Sequence, residues 1–452
     1  MSASNISRRH FMKVTATAGT ALTVLPSRVF GANDRLNIAC IGIGGIARQN
    51  IQACADENIV ALCDVDSNYA GKVFDAYPNA KRYTDYRVML EQQKDIDAVI
   101  IGTPDHTHAV IAMAAIQAGK HVYCQKPLAH TVAETRMLTE AARASNVQTQ
   151  LGNQGHSAEG IRLVREWIQS GSIGDVKEVH AWTDRPDSGG WWANFAARAL
   201  PQQVEPVPAG LDWDLWLGPA AEQPYHRAFH PFGWRAWLDY GTGALGDMGC
   251  HILDPACWAL DLENPVSVTA EVKHHLPELE GVAHPIAAKV TYEFGQRGNL
   301  CPMKLVWHDG TFEVPRPPML EPGRKLPESG ALIFGEKETI MHGSHGAGGV
   351  RIIPETRMQS FQRPAKTIPR VKGGHEKDWI RACKGGPAAC SNFSDYGGQL
   401  TEMVLLGVVA QRMPGVVLKW DGAKMEFDHP EANQFLHKTY RKGWSLGEED
   451  AS

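Results

Sequence analysis

An apolar run, Asn37-Ile38-Ala39-Cys40-Ile41, opens directly into Gly42-Ile43-Gly44-Gly45-Ile46-Ala47. A strand feeding a G-x-G-x-x-A turn and a helix start leaves few folds open. Gly42 permits the tight turn, Gly44 lets the backbone approach a pyrophosphate, and Ala47 allows the helix to pack closely on the strand. Asp64 closes the next apolar run, Ile59 to Cys63, 22 residues after Gly42. An acid there binds the ribose 2′-hydroxyl of a dinucleotide. Asp66 adds charge that repels a 2′-phosphate, so NAD is expected in preference to NADP.

Short apolar runs alternate with helical patterns up to about residue 150, the signature of a parallel α/β sheet. Ala98 to Ile101 ends in Gly102-Thr103-Pro104, and a helix is predicted from His108 to Ala118. His121 to Cys124 ends in Gln125-Lys126-Pro127, and a last strand precedes Gly152-Asn153-Gln154-Gly155-His156. Ligands collect at the carboxyl ends of such strands, so these groups should converge on one crevice. Beyond it the spacing predicts helices over 158–170, 246–260, 375–382 and 400–413. Strands are predicted over 176–182, 266–272, 287–294 and 303–307, which makes a second domain built on a sheet. Seven of the thirteen tryptophans lie between Trp182 and Trp237.

Ahead of the fingerprint, Ser7-Arg8-Arg9-His10-Phe11-Met12-Lys13 precedes a weakly apolar stretch too short to span a bilayer. This reads as a twin-arginine leader over residues 1–33. The export machinery that reads it is then a partner, and the protein is periplasmic or otherwise exported, with no stable membrane anchor. Free nicotinamide cofactor is not expected there, so NAD should be tightly bound and carried out with the folded chain. Removing Arg8, Arg9, Lys13 and Arg28 takes the formal charge from −5 to about −9, which argues against nucleic acid as a partner. Nine cysteines without a CxxC point to buried free thiols.

The segments Thr103-Pro104-Asp105-His106-Thr107-His108 and Gly119-Lys120-His121-Val122-Tyr123-Cys124-Gln125-Lys126-Pro127 resemble the glucose–fructose oxidoreductase/inositol dehydrogenase (Gfo/Idh/MocA) family. Gly241-Thr242-Gly243-Ala244-Leu245-Gly246-Asp247-Met248-Gly249-Cys250-His251 extends the likeness. The resemblance implies a Rossmann dinucleotide-binding domain over 34–155 and an α+β domain over 156–452 with a large, mostly antiparallel open sheet. It also implies a homo-oligomer, Lys126 beside the nicotinamide, and Asp247 and His251 as its partners. On a helix, Asp247 and His251 share one face and together can take a hydroxyl proton. The cofactor is expected on Gly42, Ile43, Gly44, Gly45 and Ile46, on Asp64, on Thr103, Pro104 and His108, and on Gln125, Lys126 and Gln154. One departure stands out. The family carries Glu before the lysine, and Gln125 lacks the charge that would help hold a proton on Lys126.

The implied activity is oxidation of a sugar, glycoside or polyol hydroxyl by hydride transfer to NAD, with Lys126 and His251 as proton acceptors. The competing expectation is net glycoside hydrolysis by transient oxidation, elimination and re-reduction, although no additional histidine motif is evident for it. Indole faces suit the C–H faces of a pyranose, so His156, Trp191, Trp192, Arg235 and Tyr240 are the candidate carbohydrate contacts. His274-His275 and His342/His345 lack partners at ligand spacing and read as solvated loop residues, with no metal site.

Overall fold

The computed structural model describes residues 35–186 and 196–447. The segment expected to be a twin-arginine leader and the pair Trp191 and Trp192 lie outside the described residues. The amino-terminal sheet comprises β1 (Asn37–Ile41), β2 (Asn58–Cys63), β3 (Lys81–Tyr83), β4 (Ala98–Ile101), β5 (His121–Cys124) and β6 (Thr149–Leu151). Its order is β3-β2-β1-β4-β5-β6, with every pair parallel. All four residues of β4 are buried, as expected for a strand covered by helices on both faces. The order reverses between β1 and β4, and the crevice at that switch point holds the ligand side of the sheet.

The second sheet contains β7 (Val176–Trp182), β8 (Ser267–Lys273), β9 (Ala287–Phe294), β10 (Met303–His308), β11 (Gly330–Gly335), β12 (Thr339–Gly343), β13 (Arg351–Ile353), β14 (Leu418–Asp421) and β15 (Glu426–Phe427). They run β13-β12-β11-β7-β10-β9-β8-β14-β15. Only β7 with β10 is parallel; the other pairs are antiparallel. The sheet is therefore mostly antiparallel, as the resemblance implied.

Two departures from the sequence reading bear on the site. The helix expected over 246–260 is two helices, Gly243–Ile252 and Asp254–Ala259. Pro255 lies in the first turn of the second, where its missing N–H costs nothing; inside one long helix it would break a hydrogen bond. In addition, the helix His375–Cys383 crosses the domain boundary drawn at 155/156. Its Trp379, Ile380, Ala382 and Cys383 are buried with Ile38, Cys40, Ile100 and Tyr123 of the first sheet. A late segment of the chain thus completes the nucleotide-binding core.

Cys40, Cys54, Cys63 and Cys124 are buried free thiols. Burial pushes the Cys54 thiol up to about 12, which keeps it protonated and unreactive. Among the described residues no helix is long and apolar enough to cross a membrane.

Candidate active site

The turn after β1 places Gly42 at φ +73°. A Cβ there would lie 2.6 Å from the Thr103 backbone nitrogen. Gly42→Ala is therefore expected to lower stability by roughly 1–3 kcal/mol, read as a lower urea midpoint at unchanged slope. At Gly44 a Cβ would come within 2.1 Å of the Tyr69 ring, so this glycine leaves a cradle that any side chain would fill. A Cβ on Gly102 would meet Ala47 Cβ at 2.6 Å, the close helix–strand approach that Ala47 foretold.

Asp64, at the end of β2, accepts hydrogen bonds from the Ile43 and Gly44 N–H groups at 2.8 and 3.1 Å. Burial raises its carboxyl, and N–H donors from Asp66, Gly44 and Ile43 only partly oppose this. Ile43 contributes its backbone alone. Its side chain is fully buried in the core, which corrects the expectation that it faces the cofactor. Asp66 is also turned inward, against His230 Nε2 at 2.8 Å, so the discrimination against a 2′-phosphate falls to Asp64.

From this turn a cavity of about 590 Å³ runs across the ends of β1, β2, β4 and β5. Gly42, Gly44, Gly45, Ile46, Asp64, Thr103, Pro104, His108, Gln125, Lys126 and Gln154 line it, as do Arg235, Asp247 and His251. His108 acts as a strut between two of the turns, with Nδ1 2.7 Å from the Pro127 carbonyl and Nε2 2.9 Å from that of Thr103. Cavity size, glycine cradle and the carboxylate at β2 all fit a dinucleotide.

At the far end Lys126 Nζ donates to Asp247 Oδ1 at 2.7 Å and to the Asp247 carbonyl at 2.8 Å. Arg185 donates to the other carboxylate oxygen at 2.7 Å, and Arg235 lies 3.6 Å away. Burial alone would raise the Asp247 carboxyl. Lys126, Arg235 and Arg185 outweigh it and hold the group well below the usual carboxylate range. His251 follows one turn later on the same helix and is buried. Burial first, then Lys126 and His345, keeps its ring well below the ordinary histidine value.

Two carbohydrate candidates are misplaced by the sequence reading. His156 is fully buried, with Nδ1 2.8 Å from Asp254 Oδ1 and its ring centroid 4.5 Å from that of Tyr396. It does not line the cavity, because the short helix after β6 turns it toward Asp254. Tyr240 is likewise buried. Its hydroxyl pairs with Gln223 and its ring packs on His106, Trp216 and Phe229, since the aromatic passage folds mainly on itself. Arg235 does reach the site, with its guanidinium 4.0 Å from the Trp234 centroid and 4.2 Å from that of Phe232. Trp216 also lines the cavity.

The lining residues that the sequence reading did not place at the site include Arg185, His345 and Glu376. His345 lies on an exposed turn and stacks on His251 with centroids 4.1 Å apart. Its φ of +53° is unusual for a side chain with a Cβ. A His-Gly-Ala-Gly-Gly turn was the one local signal.

Residues 36–153 match the family described as Gfo/Idh/MocA, "Oxidoreductase family, NAD-binding Rossmann fold". Residues 161–300 match its "C-terminal alpha/beta domain", and the two together cover more than half of the chain. Inositol 2-dehydrogenase of Salmonella typhimurium is 33% identical over 151 residues, 32% of this chain and 45% of that protein. Levoglucosan dehydrogenase of Pseudarthrobacter phenanthrenivorans is 27% identical over 179 residues, 38% of this chain and 35% of that protein. The chain spans less than half the length of these curated relatives. Among solved structures, the WlbA dehydrogenase from Bordetella pertussis in complex with NADH and UDP-GlcNAcA is similar at a TM-score of 0.60. That match has 17% identity and covers 86% of this chain and 99% of the other. A levoglucosan dehydrogenase in complex with NADH and levoglucosan gives a TM-score of 0.54 at 19% identity, covering 84% and 98%. At such identities the likeness is one of fold. With both halves matched in order, and its crevice built at the switch point of a Rossmann sheet, the chain belongs to the Gfo/Idh/MocA oxidoreductase family and carries that family's NAD-binding domain.

Proposed function

We propose that this protein is an NAD-dependent dehydrogenase acting on a hydroxyl of a sugar, glycoside or cyclic polyol. The observation that carries this reading is the Lys126–Asp247 pair, with His251 one turn beyond, closing one end of the cofactor cavity. NAD, when bound, takes up the two electrons of the oxidation as hydride from the carbon bearing the hydroxyl. The chain's own groups must then hold that hydroxyl and remove its proton. Asp247 engages two of the three Lys126 N–H bonds, which leaves one for the substrate oxygen. His251 Nδ1 has no hydrogen-bond partner among the described residues. Its ring is neutral at neutral pH, so it accepts the proton while Lys126 supports the developing alkoxide. Arg235 and Trp216 offer a cation and an apolar face to the ring of the substrate.

The reading is tested by nicotinamide reduction with myo-inositol, levoglucosan and a panel of pyranosides. No reduction with any of them would sink it. The pH profile carries a sharper expectation. Because the His251 pKa is depressed from 6.5, protonation abolishes its role only well below that value. kcat/KM should therefore stay level from about pH 8 down through 6.5 and fall only on the acid side. An acid limb centred at or above 6.5 would remove His251 as the neutral acceptor.

His345 gives the hydrolytic reading some footing, because it brings a second imidazole against His251, as an elimination step needs for its leaving group. Release of an aglycone without net nicotinamide reduction distinguishes that reaction. The twin-arginine leader supports export with NAD retained, and a nucleotide released only on denaturation from periplasmic material is the expected result. Self-association through the nine-stranded sheet is read by light scattering.

A further inference from the structure

Gln125 removes a carboxylate from the cofactor wall, yet the same wall contains another one that the family motif does not supply. Glu376 sits in the first turn of the helix His375–Cys383 and lines the cavity. Its Oε1 accepts from Asn50 Nδ2 at 2.7 Å and from the Tyr123 hydroxyl at 3.4 Å. The amide of Gln125 in turn donates to Asn50 Oδ1 at 2.9 Å. Asn50 and Tyr123 are fully buried, so the donor ends of these bonds are closed to bulk water.

The direction of this chain of bonds is forced. An ionised carboxylate only accepts, so Asn50 must turn its NH2 to Glu376 and its oxygen to residue 125. Residue 125 must then be a donor. Glutamine meets that demand, whereas Glu at 125 would set two acceptors face to face. Reversing Asn50 to suit it would leave Glu376 facing the amide oxygen. The wall therefore accommodates one acid, at 125 or at 376.

The geometry points to Glu376 as a cofactor-binding residue, with its free carboxylate oxygen accepting from a hydroxyl of the nicotinamide-side ribose. Oε2 makes no hydrogen bond among the described residues. The side chain is bonded to Tyr123 of β5 and is linked through Asn50 to Gln125, the residue that precedes Lys126. This puts it on the β5 side of the switch point and on the nicotinamide half of the site. A ribose diol offers paired hydroxyl donors that an acceptor-only group can take. The acid arrives on a helix whose apolar face completes the Rossmann core, so cofactor retention is tied to the docking of that late segment. This assignment rests on the NAD-dependent reading of the site.

The test uses the purified protein freed of nucleotide, with calorimetric titration of NAD, ADP-ribose and ADP. E376Q should weaken NAD and ADP-ribose about tenfold or more, the worth of a charge-assisted hydrogen bond. ADP, which lacks that ribose, should bind unchanged. Q125E should also weaken NAD, and the Q125E/E376Q double variant should recover to within about threefold of the wild type. Equal loss for ADP would make Glu376 a structural residue, and no loss in E376Q would overturn the assignment. A wild-type protein that binds no NAD would sink both this inference and the dehydrogenase reading.

Discussion

Lys126→Met is expected to lower kcat/KM for the oxidised hydroxyl by about 10²–10³-fold while NAD still binds. The range is that of removing one preorganised donor aimed at developing negative charge. The Lys126 ammonium is held in place by two bonds to Asp247, so it meets the substrate oxygen without reorganising. Methionine keeps the length of the stem and removes the charge. The measurement pairs steady-state nicotinamide reduction with NAD titration, which separates chemistry from binding. A variant within about threefold of the wild type would place Lys126 away from the reacting oxygen.

Asp247→Ala should be the most destabilising change in the site, by about 3–5 kcal/mol, because it removes one partner from a buried set of charges. Lys126, Arg185 and Arg235 then face one another; the Lys126 and Asp247 side chains are only 14% and 11% exposed, so water screens them poorly. Chemical denaturation reads the loss. Adding Lys126→Met to Asp247→Ala should return part of the stability while activity stays lost, a coupling that a double-mutant cycle isolates. Simple additivity would show that the cations do not interact through Asp247. The pH sign follows from the depressed carboxyl. Its folded-state pKa lies below the ordinary 3.8, so its contribution is complete above that value and is lost only as pH falls through the folded pKa.

The parts of the site readable from sequence were those whose geometry is local. A strand of alternating or continuous apolar residues ends where its turn residues begin, so Gly42, Asp64, Thr103 and Lys126 could all be placed on one edge of a parallel sheet. Asp247 and His251 share a face because helical spacing dictates it, and the structure keeps both on Gly243–Ile252. Residue type by itself does not report packing. Tyr240 and the tryptophans of the aromatic passage have faces that suit a sugar, but the same faces pack equally well on one another. His156 follows β6 closely, yet a single short turn sends it to Asp254 rather than to the crevice.

From its residues, then, this chain declares a Rossmann fold and a preference for NAD, because each depends on spacings of a few residues within one strand or turn. The lysine–aspartate–histidine set is what the family resemblance implies, and within it only the Asp247–His251 spacing is local. Tertiary structure decided what surrounds them. Arg185 comes from the segment after β7, His345 from the turn between β12 and β13, and Glu376 from a helix of the second half that packs into the first. Their separations in sequence carry no periodic signal, since they are set by how two sheets and their loops close on each other. The charge missing at Gln125 looked like a loss in the local motif; the fold returns a carboxylate to that wall from about 250 residues away.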